Sequence, residues 1–286
     1  MYIGKISELI IYIINNMESQ PEDVPEIVFI IPYRDREEHK HFFERQIKYL
    51  MEDYNHSKYE VFFVHQKDNR SFNRGAMKNI GFLAIQDKYP ESYKNITFVF
   101  HDVDTLPYKK NLLDYKTVSG VVKHFYGFNF ALGGIFSIIG SDFETTGGFP
   151  NFWAWGGEDN VIQKRVINAK LHIDRDNFFK IGNRNILQFA DGFLKTINRD
   201  ELACIEQDDS YEYYHTIKDL QYTFSGEYID VHSFTTRAKY NIVKRNFESH
   251  NITKSNNKIR VNKKRGRTSR AGTNGAQNLQ RLQILN

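Results

Sequence analysis

Three short apolar runs, each ending in a polar cluster and separated by helix-like patterns, constrain the fold of this chain more than any other feature. The run Glu26-Ile27-Val28-Phe29-Ile30-Ile31-Pro32 is continuous, β-branched and closed by proline, as a strand buried on both faces requires. After it, Tyr33-Arg34-Asp35-Arg36-Glu37-Glu38-His39 opens a helix predicted to carry Phe42, Phe43, Ile47 and Leu50 on one face. The second strand is Tyr59 to His65. A second helix is predicted from Asn73 through Met77, Ile80 and Leu83 to Ile85, with Asn73 as its N-cap, because that side chain can accept the free amides of the first turn. The third strand, Ile96 to Phe100, ends abruptly in His101-Asp102-Val103-Asp104. Strand and helix in alternation imply an α/β fold, with a mostly parallel central sheet and helices on both faces. Such sheets bind ligands beyond the carboxyl ends of their strands. Three polar clusters fall there: Arg34 with Arg36, Phe72-Asn73-Arg74, and Asp102 with Asp104.

Composition narrows the function classes. Hydrophobic residues make up 40% and aromatics 15% of the 286 positions, which argues against a disordered chain. No apolar run reaches the roughly 20 residues of a membrane helix. Leu9 to Ile14 is shorter, lacks a small-residue cleavage site, and reads as part of an amphipathic leader helix and linker over 1–25. The one cysteine, Cys204, excludes an intramolecular disulfide and a CxxC zinc site and suits a reducing compartment. A soluble, cytoplasmic protein is expected, in which the sequons at Asn55, Asn95 and Asn251 carry no weight. The net charge of +4 hides an asymmetry: no acid follows Glu248, while nine Lys or Arg lie between Lys254 and Arg281. A globular body over 26–245 and a basic, disordered tail over 246–286 are therefore predicted. Such a tail can neutralise phosphates, so a nucleic-acid- or polyanion-associated protein is a second reading, although the tail has no aromatic for base stacking.

Three constellations carry chemistry. In an extended chain Asp102 and Asp104 point to one side and Val103 to the other. Two close carboxylates need a neutralising partner, and a Mg²⁺ or Mn²⁺ ion with phosphate oxygens in its remaining positions supplies one. Arg34, Arg36 and Arg74 follow the first two strands and suit phosphate through their planar, paired donors; surface ion pairs with Asp35, Glu37 and Glu38 are the plainer alternative for the first two. The stretch from Gly147 to Asn160 holds both tryptophans, Trp153 and Trp155, beside glycines and the acids Glu158 and Asp159. An indole face packs on sugar C–H groups, acids bond hydroxyls, and a carboxylate there can act as a general base. The helical pattern from Val161 places both acids near a helix N-terminus, which favours their ionised form.

Taken together, these segments resemble the β-1,4-galactosyltransferase family, which includes related N-acetylgalactosaminyltransferases. Ile31 to His39 is similar to the family's IPFRNREEH, Phe72 to Ala76 to its FNRA segment, and Phe98 to Asp104 to its FVFSDVD. Gly133-Gly134, Gly148 to Asn151 and Trp155 to Asp159 resemble its GG…GFPN…WGWGGED block. The resemblance, over about residues 26–240, implies a nucleotide-sugar transferase (GT-A-like) fold, a UDP-sugar donor, Mn²⁺ or Mg²⁺, a glycan acceptor and inversion at the anomeric carbon. On matching positions it implies that Pro32, Tyr33, Arg34, Arg36, Phe72, Asn73 and Arg74 hold uridine and diphosphate. It implies that Asp104 binds the metal, with Asp102 and Val103 beside the donor. Trp155 and Gly157 would contact the sugars, Glu158 would position the acceptor, and Asp159 would be the base.

Departures from the family pattern sharpen the expectations. The later metal ligands of the family lie in an MIRH-like segment, matched here by Asn185-Ile186-Leu187-Gln188. Amide oxygens of Asn185 and Gln188 would then replace Met and His, or His172 or His215 would be recruited. The family's tyrosine before the Gly-Gly pair is matched by Ala131, a donor-specificity position where a small residue leaves room for an N-acetyl group. The missing His also leaves an inactive sugar-binding relative as an alternative.

Overall fold

The computed structural model describes residues 24–153, 155–190, 194–198, 212–237 and 247–251. Cys204, most of the predicted leader over 1–25 and the basic tail beyond Asn251 lie outside the described residues. Strand β1 (Ile27–Tyr33) is buried at all seven positions, as its unbroken apolar run demands. It lies between β2 (Tyr59–Gln66) and β3 (Thr97–His101), parallel to both. Its alternate residues serve two cores. Val28 and Ile30 join Val64, Phe98 and Phe100 beneath helix α2 (Arg74–Lys88), while Ile27, Phe29 and Ile31 join Phe63 and Val99 beneath helix α1 (Glu37–Leu50). Helices thus cover both faces.

The chain continues through β4 (Thr105–Pro107), β5 (Val121–Gly127), β6 (Ile135–Ile139), α3 (Gly140–Thr146), α4 (Glu158–Asn168), β7 (His172–Asp174), β8 (Phe179–Lys180), β9 (Ile186–Gln188), β10 (Leu194–Asn198), β11 (Lys218–Ser225), β12 (Tyr228–Thr235) and β13 (Phe247–Asn251). The main sheet has the order β11-β12-β2-β1-β3-β6-β5-β7, with β8 also on β5. Pairing is antiparallel at β11–β12, β3–β6 and β5–β6, and parallel elsewhere. The carboxyl ends of β1, β2, β3 and β5 consequently share one edge. Loops 34–36, 67–73, 102–104 and 128–134 emerge together there. Among the described residues no helix is long and apolar enough to cross a membrane.

Three local expectations are corrected. Phe42 is 39% exposed, while Phe43, Ile47 and Leu50 are buried. Adjacent residues on an α-helix lie about 100° apart, and Lys40 completes the inner face instead, its ammonium over the Phe63 and Tyr228 rings. The aromatic run from Phe125 to Phe130 is expected to be core; Phe125 and Tyr126 are, but β5 ends at Gly127, and Phe128 and Phe130 stack on each other beyond it, with Phe130 exposed. The first residues assigned to the disordered tail form strand β13, because their backbone pairs antiparallel with β10.

Candidate active site

Asn73 sits at the carboxyl edge and caps α2, its side chain accepting from the Ala76 amide at 2.9 Å. Its amide group also donates to the Asn151 carbonyl, and Asn79, two turns on, bonds Phe149 and the Asn151 side chain. These buried bonds dock the Gly148–Asn151 segment on α2. The chain then passes through Trp155 and Gly156 to Gly157, whose φ of 89° is left-handed and suits glycine. Helix α4 starts immediately, with Glu158 and Asp159 in its first turn.

That path delivers both acids to Arg74, the first residue of α2. The Arg74 guanidinium donates to Glu158 Oε1 at 2.6 Å, to both Asp159 oxygens at 2.9 and 3.0 Å, and to Asp102 Oδ1 at 2.5 Å. Burial opposes its charge, but Asp102, Asp159 and Glu158 outweigh that and raise its pKa well above the ordinary range. Burial likewise opposes ionisation of Asp102, yet Arg74 and Lys78 hold its pKa below the usual value. Glu158 Oε2 is buried without a hydrogen-bond partner. Gly133 closes the site on another side: a Cβ there would lie 2.4 Å from Asp159 Oδ2. The Leu132 amide donates to the Asp159 carbonyl at 2.9 Å, so the 128–134 loop, which carries buried Ala131, is fastened to the start of α4.

Asp102 and Asp104 diverge more than alternation predicts, because β3 stops at His101 and the chain turns, the Thr105 amide donating to the Asp102 carbonyl. Val103 does point into the core. Asp104 lies 3.9 Å from Arg36. The β4–β9 ladder sets Gln188 opposite Thr105, next to Asp104. Tyr126 links the two: its hydroxyl donates to Gln188 Oε1 at 2.6 Å, and its pKa is raised by burial and by the Asp104 charge. A carboxylate and an amide oxygen are hard donors and fit Mg²⁺ or Mn²⁺, ions that fill their remaining positions with water and phosphate. Among the described residues no three His, Cys, Asp or Glu side chains are grouped to hold a metal. Asn185 is exposed beside Tyr108, three residues or about 10 Å along the strand from Gln188. The ladder does not bring it to Asp104. His172 pairs with Val121 at the start of β5, five residues or about 17 Å from Tyr126, and His215 stacks on Tyr213.

Pro32 and Tyr33 are buried at the end of β1, and Phe72 packs half-buried against the core. Arg34 does not join Arg74; it pairs with Asp35 and donates to the Arg70 carbonyl. Trp155 is half-buried, whereas Trp153 is 2% exposed, stacked on Phe234 and bonded to Thr236, and so is a core residue. Three contributors escaped the sequence reading. Gln188's partner Tyr126 was read only as core. Lys78 lies 3.4 Å from Asp159 Oδ1 and 3.8 Å from Asp102 Oδ1. Its spacing of four from Arg74, one helical turn on the same face, is the signal that was there to find. His124 supports the 128–134 loop by bonding the Gly133 carbonyl at 3.1 Å, while Arg175 donates to its other nitrogen.

Two buried imidazoles predict an acid-labile fold. Burial lowers the pKa of both His101 and His124 to about 4. As pH falls through about 6.5 the unfolded chain takes up these protons and the folded chain does not, so stability is present above 6.5 and lost towards 4. Each histidine contributes about 3 kcal/mol over that window. The urea midpoint should fall steeply between pH 6.5 and 4; a flat midpoint would mean that neither imidazole is kept neutral by the fold.

A model described as the N-terminal region of glycosyl transferase group 7 matches residues 10–116, and one described as the N-terminal domain of galactosyltransferase matches residues 114–188. The chain is 29% identical over 172 residues to β-1,4-galactosyltransferase 4 of Cricetulus griseus, covering 54% of this chain and 46% of that one. It is 30% identical over 162 residues to human β-1,4-galactosyltransferase 1, covering 53% of this chain and 39% of that one. The match thus spans less than half the length of these relatives. The fold is similar to the catalytic domain of Drosophila β1,4-galactosyltransferase 7 in complex with xylobiose, with a TM-score of 0.57, 21% identity, and coverage of 73% of this chain and 94% of that one. A mutant of that enzyme in complex with manganese, UDP-Gal and xylobiose gives a TM-score of 0.53 at the same identity and coverage. Two adjoining family models over residues 10–188, the shared fold and the matching motifs place this chain in the β-1,4-galactosyltransferase family.

Proposed function

We propose that this chain moves galactose or N-acetylgalactosamine from a UDP-sugar to a hydroxyl of a glycan acceptor, by a single in-line displacement that inverts the anomeric carbon. One observation carries the reading: Arg74 at the start of α2, Asp102 just after β3, and Glu158 and Asp159 at the start of α4 converge at the carboxyl edge of the sheet. Asp159 takes the proton of the acceptor hydroxyl as its oxygen attacks C1 and the C1–O bond to UDP breaks. Glu158, beside Asp159 in the first turn of α4, positions the acceptor. Arg36 and Arg34, at the end of β1, offer cations to the diphosphate. Pro32, Tyr33 and Phe72 line the uridine side, and Trp155 and Gly157 the sugar side. A Mn²⁺ or Mg²⁺ ion held by Asp104 and Gln188 would supply charge stabilisation for the departing diphosphate.

Support for donor, metal and acceptor comes from the Drosophila relative's complex with manganese, UDP-Gal and xylobiose. The small Ala131, two residues from the Gly133 that touches Asp159, favours an N-acetylated donor. The test is turnover of UDP-sugars over a panel of acceptor glycans, with and without Mn²⁺, in the wild type and in Asp104→Ala. Transfer from UDP-galactose or UDP-N-acetylgalactosamine is expected in the wild type. Asp104→Ala should lose metal-dependent UDP binding by calorimetry. Unchanged affinity in that variant would refute the metal assignment, and no transfer from any donor would refute the function.

A further inference from the structure

The carboxylate cluster holds a second cation that the proposed chemistry does not use. Lys78 is a buried lysine, its side chain 1% exposed. Its ammonium donates to Asp159 Oδ1 at 3.4 Å, lies 3.8 Å from Asp102 Oδ1, and sits 4.6 Å from the Phe149 ring centre. Burying an ammonium is costly unless carboxylates compensate it, so this lysine is held in place by the same acids that Arg74 gathers. The groups facing Asp159 are Arg74 and Lys78 on α2, Glu158 beside it on α4, Asp102 through the shared cations, and His124 on β5 through the field alone. Three carboxylates thus meet two fixed cations. Without Lys78, Asp159 would share one guanidinium with two other acids.

We infer that Lys78 is a positioning residue for the reaction, holding the Asp159 carboxylate aimed past Gly133 towards the acceptor. The inference rests on Asp159 being the base. The two cations have different tasks: Arg74 joins the three acids to one another, while Lys78 reaches Asp159 and Asp102 from within the core.

The test is the separate measurement of kcat and KM in the full chain carrying Lys78→Gln, Lys78→Met or Lys78→Arg. The Gln and Met variants should lose about tenfold in kcat with KM for the acceptor unchanged, because a misaimed base is felt only as the hydroxyl attacks. Lys78→Arg should restore the wild-type kcat, and UDP affinity should be unchanged in all three. If Lys78→Met does not fold, the Gln and Arg pair carries the comparison, because only one of them keeps the charge. A kcat that is the same in Gln and Arg variants, with Asp159→Asn inactive, overturns the role of Lys78. An active Asp159→Asn overturns the base assignment instead.

Discussion

Asp159→Asn should lower kcat by about 10²- to 10⁴-fold, or roughly 3–5 kcal/mol of transition-state stabilisation, while UDP affinity stays near the wild-type value. The amide preserves the size of the side chain and an oxygen for Arg74, so the contact with Gly133 and the cluster geometry survive. What it loses is the capacity to take a proton. The loss should fall on kcat with every donor and acceptor, because a proton acceptor works only as the hydroxyl attacks. Near-normal turnover in this variant would transfer the role to Glu158, whose second oxygen is buried without a partner.

Arg74→Met should be the most destabilising single substitution in the site, by about 3–5 kcal/mol at neutral pH. Arg74 alone touches Asp102, Glu158 and Asp159, and its removal leaves three acids facing one lysine. The deficit should shrink as pH falls below the usual carboxylate range, because Arg74 holds Asp102 below its ordinary pKa and that stabilisation is lost as Asp102 protonates. Urea unfolding at pH 7 and pH 3 reads both effects. A variant as stable as the wild type at pH 7 would show that the cluster is relieved by water entry and that Arg74 does not bind it together.

Much of the fold was legible because burial on both faces leaves a strand no choice of composition. Ile27 to Tyr33 and Thr97 to His101 are buried throughout, and the polar residues that follow them mark the sheet edge where backbone leaves the core. Asn73 was legible as a cap for the same local reason. Phe42 was misplaced because adjacent apolar residues on a helix compete for one face, and packing, not composition, decides between them. Trp153 and Trp155 are chemically alike and two positions apart, yet Phe234 and Thr236 from the far end of the sheet bury one and not the other. Gln188 and Asn185 looked equivalent by spacing until the β4–β9 register set one beside Asp104 and the other beside Tyr108.

By itself the chain's order of residues determined the strand–helix alternation, the edge at which polar side chains gather, and the residue types able to do acid–base and phosphate chemistry there, since these depend on local burial and on side-chain chemistry. Only the tertiary structure decided which of those groups meet. Lys78 reaches an acid 81 positions away and Arg74 reaches one 85 away, and electrostatic partnership depends on distance in space and on exclusion from water, neither of which is written in sequence separation.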